Sequence, residues 1–331
     1  MSELAADTSA DETLSDVGEF GLIDRISRHM AQGAAVLLGP GDDAAVLAAP
    51  DGRVVASTDL LLEGRHFRTD WSTGYQIGRK AAAQNLADIA AMGAAPTGLL
   101  VGLAAPGGLP VDWARQFARG LADECALVGV SVAGGDTTRA ASIMIAVTAL
   151  GDLGGRAPVT RAGAHPGDMV AIAGELGWSA CGYELLSRGA QGEGPRKAVA
   201  RHRSPEPPYA QGLSAAMAGA TAMIDVSDGL LADLGHIARE SDVGIDLEPG
   251  AFPIPEELAE AARRLDKDVL RWILTGGEDH ALAACYPAVA DIPQGWSVVG
   301  TVLKRSADSS EPRVTVAGAA WDGPQGWDHF A

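Results

Sequence analysis

The stretch GDLGGRAPVTRAGAHPGD, residues 151–168, constrains this chain more than any other. It is rich in Gly and Pro and has no apolar period of either two or 3.6 residues. Such a segment does not pack as a core-facing helix or strand. Apolar runs lie on both sides of it, so the chain reads as two folded halves with a boundary near 153–165. The length of 331 residues suits two domains of ordinary size. The expected division is a disordered acidic leader over 1–17, an N-terminal domain over 18–153 and a C-terminal α/β domain over 154–331.

In the first half, Arg53–Thr58 reads as a strand ending near Asp59. Ser72–Met92 reads as a helix, capped by Ser72 or Thr73 and stopped by Gly93. A strand at Thr97–Ala104 and a helix at Pro110–Val128 follow. A short strand at Val130–Ala133 then runs into Gly134, Gly135 and Asp136, and Ser142–Leu150 is another strand. In the second half, strands are expected at 169–173, 222–226, 243–247, 280–285, 296–303 and 313–317. Helices are expected at 177–187, 209–219, 229–240 and 255–265, and residues 189–208 read as a polar, Pro-rich connector. The class is α/β, or mixed α+β, because neither half keeps a strict βαβ rhythm.

Charge narrows the function. Lys and Arg number 25 against 43 Asp and Glu, a formal net charge of −18. Binding of duplex nucleic acid rests on cationic side chains, as does binding of anionic membranes, so both partners are disfavoured. A phosphorylated substrate would need divalent cations to approach such a surface. The leader carries acids and no base, with no apolar segment, and does not read as a signal peptide. No apolar run is long enough to span a bilayer. Three widely spaced cysteines, Cys125, Cys181 and Cys285, form no disulfide or zinc pattern and fit a reducing cytoplasm.

The chain has no P-loop, no dinucleotide-binding glycine fingerprint, no nucleophile elbow, no zinc-protease helix and no protein-kinase motif set. What recurs is Asp in tight, small-residue surroundings. The examples are GPGDDAAV (39–46), STD (57–59), NLAD (85–88), GGDTTR (134–139), DVSDGL (225–230) and GGEDH (276–280). Carboxylates in such places suit Mg²⁺, which takes oxygen ligands and keeps room for substrate phosphates. Each Asp alone also reads as a turn former or cap. Ser227 or Asp228 can simply cap the helix that follows, or that helix can point its first N–H groups at a phosphate. Asn85 and Asp88 are three apart and share a helix face. His66 reads as a surface loop histidine or a substrate-phosphate contact. Trp321 and Trp327 read as tail anchors or as stacking partners for a flat ring.

In this order, GPGDDAAVL, STDLLLEGRHF, NLADIAAMGA, GGDTTR, TRAGAHPGD, IDVSDGLLADLGHI and LTGGEDH resemble the thiamine-monophosphate kinases of the aminoimidazole-ribonucleotide-synthetase-like ATP-binding superfamily. The resemblance runs from Gly18 to Phe330. It implies a two-domain subunit whose N-terminal domain binds ATP and Mg²⁺ without a P-loop. It also implies a homodimer in which the N-terminal sheets of two copies pair into a barrel. The implied reaction is direct, in-line transfer of a phosphoryl group from ATP to thiamine monophosphate, assisted by several Mg²⁺ ions and with no residue assigned as general base. The implied metal ligands are Asp43, Ser57, Thr58, Asp59, Asp88, Asp136, Asp225 and Asp228. The implied ATP contacts are Gly135, Asp136, Arg161 and Ser227, and the implied acceptor contacts are His66, Glu278 and Trp327. His280 stands where the common form of the last motif has tyrosine. Alternatives are another ATP-using enzyme of the superfamily, such as an aminoimidazole ribonucleotide synthetase, or a non-catalytic divalent-cation-binding protein.

Overall fold

The computed structural model describes residues 12–27, 32–38, 45–190, 192, 194–305 and 314–327. The chain falls into two compact units. One takes the residues up to Asn85 together with Pro96–Gly151, and the other takes Leu86–Ala95 and everything from Asp152 onward.

The first unit contains α1 (Leu14–Ser27), β1 (Val36–Leu38), β2 (Val46–Leu47), β3 (Val55–Leu62), most of α2 (Gly74–Ala91), β4 (Ala95–Ala105), α3 (Val111–Leu127), β5 (Val132–Arg139) and β6 (Met144–Asp152). Residues 14–17, expected to close a leader, instead open α1, which is interrupted at Gly18. Glu12 pairs with Arg25 at 2.5 Å and Thr13 bridges to Pro110, so this stretch is tied to the folded unit. The four-stranded sheet has the order β3-β6-β4-β5. The small-residue composition is used where α2 meets α3. A Cβ on Gly78 would overlap the Phe117 carbonyl, and one on Gly120 would overlap that of Tyr75. The helices therefore touch backbone to backbone, and a pair at 2.6 Å between half-buried Arg79 and buried Glu124 crosses between them. Along β3, Ser57, Asp59 and Leu61 alternate with exposed Ala56, Thr58, Leu60 and Leu62.

The second unit follows with β7 (Met169–Ala173), α4 (Trp178–Ser187), α5 (Arg196–Arg203), α6 (Tyr209–Met217), β8 (Ala222–Val226), α7 (Leu230–Glu240), β9 (Val243–Leu247), α8 (Glu256–Arg264), α9 (Val269–Thr275), β10 (Ala281–Tyr286), β11 (Trp296–Lys304), β12 (Val314–Val316) and β13 (Ala319–Ala320). Seven strands form one sheet in the order β13-β12-β9-β11-β7-β10-β8. Only β12 and β9 pair in parallel. Part of the core gathers Ala90 and Ala91 with Met223, Leu282, Tyr286 and Trp296. The Tyr286 and Trp296 rings meet edge to face at 5.6 Å.

Two α-helices of this unit depart from the sequence expectation. The expected connector 189–208 contains α5, whose Ala198, Val199 and His202 are buried at helical spacing. Helix α9, VLRWILT, was not expected. It is capped by Asp268, which accepts the Leu270 N–H, and it buries Trp272, Ile273 and Leu274. No described helix is long and apolar enough to cross a membrane.

Candidate active site

In the second unit two turns meet at one end of β8 and β10. β8 is buried at all five positions and leaves the sheet at Val226. Ser227, Asp228 and Gly229 then lead into α7. The 276–280 turn leads into β10, whose Ala281 pairs with Val226. Backbone bonds join the turns: the Glu278 N–H donates to the Ser227 carbonyl at 2.7 Å, and the His280 N–H donates to that of Val226 at 2.9 Å. The second glycine of GGEDH permits the approach, since a Cβ on Gly277 would lie 2.5 Å from the Ser227 carbonyl oxygen. Glu278 and His280 are both left-handed, with φ of 63° and 53°. Non-glycine residues occupy that region at a cost and persist there when surrounding contacts hold them.

Two buried carboxylates tie the turns to their surroundings. Asp233 reaches back from α7, and its Oδ2 accepts the N–H groups of Ser227, Asp228 and Gly229 at 3.1, 3.2 and 3.1 Å. Neither Ser227 nor Asp228 caps α7 with its side chain. The three N–H groups of the turn before α7 are thus engaged by Asp233. Asp279 accepts the N–H groups of Gly177 and Ser179 at 2.6 and 2.7 Å, closing the start of α4 from a distant part of the chain. Burial pushes Asp233 up to about 7, with Asp225 and Asp228 adding to it. Burial likewise pushes Asp279 up to about 7, against the pull of its two N–H bonds.

Asp225 and His280 form a buried pair, Oδ2 to Nδ1, at 3.2 Å. Burial alone would lower the imidazole, but Asp225, with Asp88 and Glu278 acting through space, holds it above its ordinary value. Asp88 is thereby placed beside this cluster, near the C-terminal end of α2. Arg161 is exposed, and its charge reaches His236 on α7. Burial, Arg161 and Arg239 lower that imidazole, while Asp228 opposes them. The Trp327 N–H donates to the Asp228 carbonyl at 2.9 Å, while its side chain is 52% exposed. The backbone, not the indole, docks this part of the tail.

In the first unit the acids sit on regular strands. β3 continues past Asp59, and GGDTTR lies inside β5 instead of forming a turn. Gly135 pairs with Val101 so closely that a Cβ would overlap the Val101 carbonyl. The glycines serve strand approach there, which is why the turn reading failed. Asn85, fully buried, accepts the Asp59 N–H at 3.1 Å, and Gln84 donates to Asp59 Oδ2 at 3.0 Å. Asp136 accepts the N–H of Thr137. Thr58 faces the other way and donates its hydroxyl to Val147 at 3.0 Å. His66 Nδ1 accepts the Leu62 N–H at 3.0 Å, which puts the proton of the neutral ring on Nε2.

The AIR synthase related protein, N-terminal domain, is the family model that matches residues 41–153. A protein of Mycobacterium tuberculosis (strain H37Rv) named thiamine-monophosphate kinase is 49% identical over 319 residues, covering 96% of this chain and 93% of its own. The chain belongs to the thiamine-monophosphate kinase family. The solved thiamine-monophosphate kinase of Stenotrophomonas maltophilia K279a is 32% identical, with a TM-score of 0.78 covering 92% of this chain and 98% of its own. The structure "AaThiL complexed with AMPPCP and TMP" is 31% identical, with a TM-score of 0.78 covering 97% and 100%.

The positions that the thiamine-monophosphate kinase motifs singled out divide between the units. Asp88, Arg161, Asp225, Ser227, Asp228, Glu278 and Trp327 belong to the second; Ser57, Thr58, Asp59, His66, Gly135 and Asp136 belong to the first. Asp43 lies outside the described residues. Among the described residues no three acidic, His or Cys side chains are grouped closely enough to hold a metal ion alone. Sequence reasoning assigned no role to Asp233, Asp279 or His202. The first two lie inside the IDVSDGLLADLGHI and GGEDH motifs, and His202 carried no signal.

Proposed function

We propose that this chain transfers the terminal phosphoryl group of ATP directly to the phosphate of thiamine monophosphate, giving thiamine diphosphate and ADP. The observation that carries the proposal is the 49% identity, over nearly the whole chain, to a protein named for this activity. A relative of the same fold whose structure is described as complexed with AMPPCP and TMP supports the pairing of a nucleotide with the acceptor.

The donor set fits Mg²⁺. Asp59 and Asp136 have no cationic partner among the described residues, and every proposed ligand offers a hard oxygen. The proposed holders are Asp43, Ser57, Thr58, Asp59, Asp88, Asp136, Asp225 and Asp228. Thr58 has only its carbonyl to give, because its side chain lies on the opposite strand face. Mg²⁺ would neutralise the two phosphates and hold them in line. Few protein ligands per ion are required, since phosphates and water complete the shell.

The chain's own groups position the reactants. Arg161 offers positive charge to the nucleotide phosphates, with Gly135, Asp136 and Ser227 as further contacts. Glu278, the exposed indole of Trp327 and the Nε2–H of His66 are proposed to hold the acceptor. The attacking phosphate oxygen is already ionised, so no general base is needed and positioning carries catalysis. We assign a cytoplasmic location and a homodimer to the protein. The dimer reading is supported by the exposed apolar face that Leu60, Leu62 and Met144 give the first sheet.

The test is to incubate the protein with ATP, Mg²⁺ and thiamine monophosphate and follow thiamine diphosphate by chromatography. Product is expected, and it should vanish without Mg²⁺ and in Asp228→Asn. Folded protein that binds ATP yet makes no product would overturn the proposal.

A further inference from the structure

Glu278 is held from the side by a helix that the sequence gave no reason to expect. His202, on the buried face of α5, brings Nδ1 within 3.4 Å of Glu278 Oε2 and 3.1 Å of Ser179 Oγ. The histidine is 8% exposed and the serine 1%. Helix α5 comes this near because residue 182 of α4 is glycine. A Cβ there would overlap the Ala198 carbonyl and lie 2.8 Å from the Cβ of His202. Ser179 also donates its N–H to Asp279. The first turn of α4 thus holds both acids of the left-handed turn: Asp279 directly, and Glu278 through His202.

The chemistry sets the direction of the contact. A carboxylate only accepts, so Nδ1 carries the proton that faces Glu278. Ser179 Oγ then shares that one N–H as a second acceptor and helps fix the ring. At 3.4 Å the contact is long, as such bonds often are before a ligand fixes the carboxylate. The contact narrows the rotamers open to this half-buried carboxylate, and preorganisation is what it contributes to binding.

We propose that His202, steadied by Ser179, is a positioning residue that aims the Glu278 carboxylate at the thiamine moiety of the acceptor. The inference rests on the reading of Glu278 as an acceptor contact. An interaction common to the bound acceptor and the transition state appears in KM and spares kcat.

The experiment compares His202→Leu, His202→Asn, Ser179→Ala and Glu278→Gln in steady-state kinetics with each substrate varied, alongside thermal unfolding. His202→Leu should raise the KM for thiamine monophosphate about tenfold, the scale of a hydrogen bond to a charged group. The KM for ATP and kcat should stay within about twofold. His202→Asn should recover most of the loss, because its amide nitrogen occupies the place of Nδ1. Ser179→Ala, which keeps the fold if His202→Leu does not, should raise the acceptor KM about threefold by the same scale. His202→Leu added to Glu278→Gln should cost nothing further. If Glu278→Gln raises the acceptor KM and neither His202→Leu nor Ser179→Ala does, the positioning role is overturned while the Glu278 reading stands. If Glu278→Gln has no effect, that reading falls and takes this one with it. A rise in both KM values with matching losses of thermal stability, unrescued by asparagine, assigns His202 to packing and overturns the inference.

Discussion

The two units carry their acids in different ways. In the first, Asp59 and Asp136 ride on β3 and β5, where strand register decides their direction and the supporting groups are the neutral amides of Gln84 and Asn85. In the second, Asp228 and Glu278 sit on turns with strained or tightly bonded backbone, supported by the buried carboxylates of Asp233 and Asp279. A strand places a side chain with no help beyond its own ladder. A turn needs outside groups to satisfy its backbone, and those groups must be buried with it. Support in the second unit should therefore be worth more, and should depend on pH where that in the first does not.

The largest effect is expected at Asp233. Asp233→Ala orphans three N–H groups in one partly buried turn, and each such loss costs about 1–3 kcal/mol when buried, so about 3 kcal/mol should disappear. Urea unfolding measures it, and a loss under about 1 kcal/mol would break the comparison. Next comes Asp279→Asn, which keeps one acceptor of two and should cost about 1–3 kcal/mol. It also tests the electrostatics. Asp279 is raised from 3.8 to about 7, so across that window the folded protein holds more protons on it than the unfolded chain does. Its contribution to stability is therefore present at the acidic end and is lost as pH rises toward 7. Thermal midpoints recorded across that range should fall less steeply with rising pH in Asp279→Asn than in the parent. An unchanged slope would remove Asp279 as a source.

This contrast also sets what the sequence made legible. Helix α2 and strands β3, β4 and β6 were expected close to where they lie, because apolar periodicity and Gly93 mark them. The GGEDH and DVSDGL turns were legible as turns. GGDTTR was not legible as a strand, because glycines that allow β5 to approach β4 look the same as glycines that allow a turn. Helix α5 hid in a polar composition in which Ala198, Val199 and His202 are the buried residues. Asp279 acts on Gly177 and Ser179, about a hundred positions away, and His202 on Glu278, and no local pattern carries such relations; Asp233 acts only four to six positions back but looks like any acid in the first turn of a helix.

The smaller effects belong to the first unit. Asn85→Ala leaves the Asp59 N–H without its acceptor and should cost about 1–2 kcal/mol, less than Asp233→Ala, with no change in slope against pH. A cost equal to that of Asp233→Ala would erase the difference between the units. Smallest in stability is the pair Ser57→Ala and Thr58→Val, each within about 1 kcal/mol. They separate by direction instead. Ser57 shares its strand face with Asp59, whereas Thr58 points to the opposite face and bonds Val147 and Thr148. Side-chain ligation on the Asp59 face therefore predicts a larger rise in the Mg²⁺ concentration needed for half-maximal activity in Ser57→Ala than in Thr58→Val. The reverse order would mean that strand alternation does not govern which groups of β3 reach the metal. Register would then lose its standing as the device that positions acids in this unit.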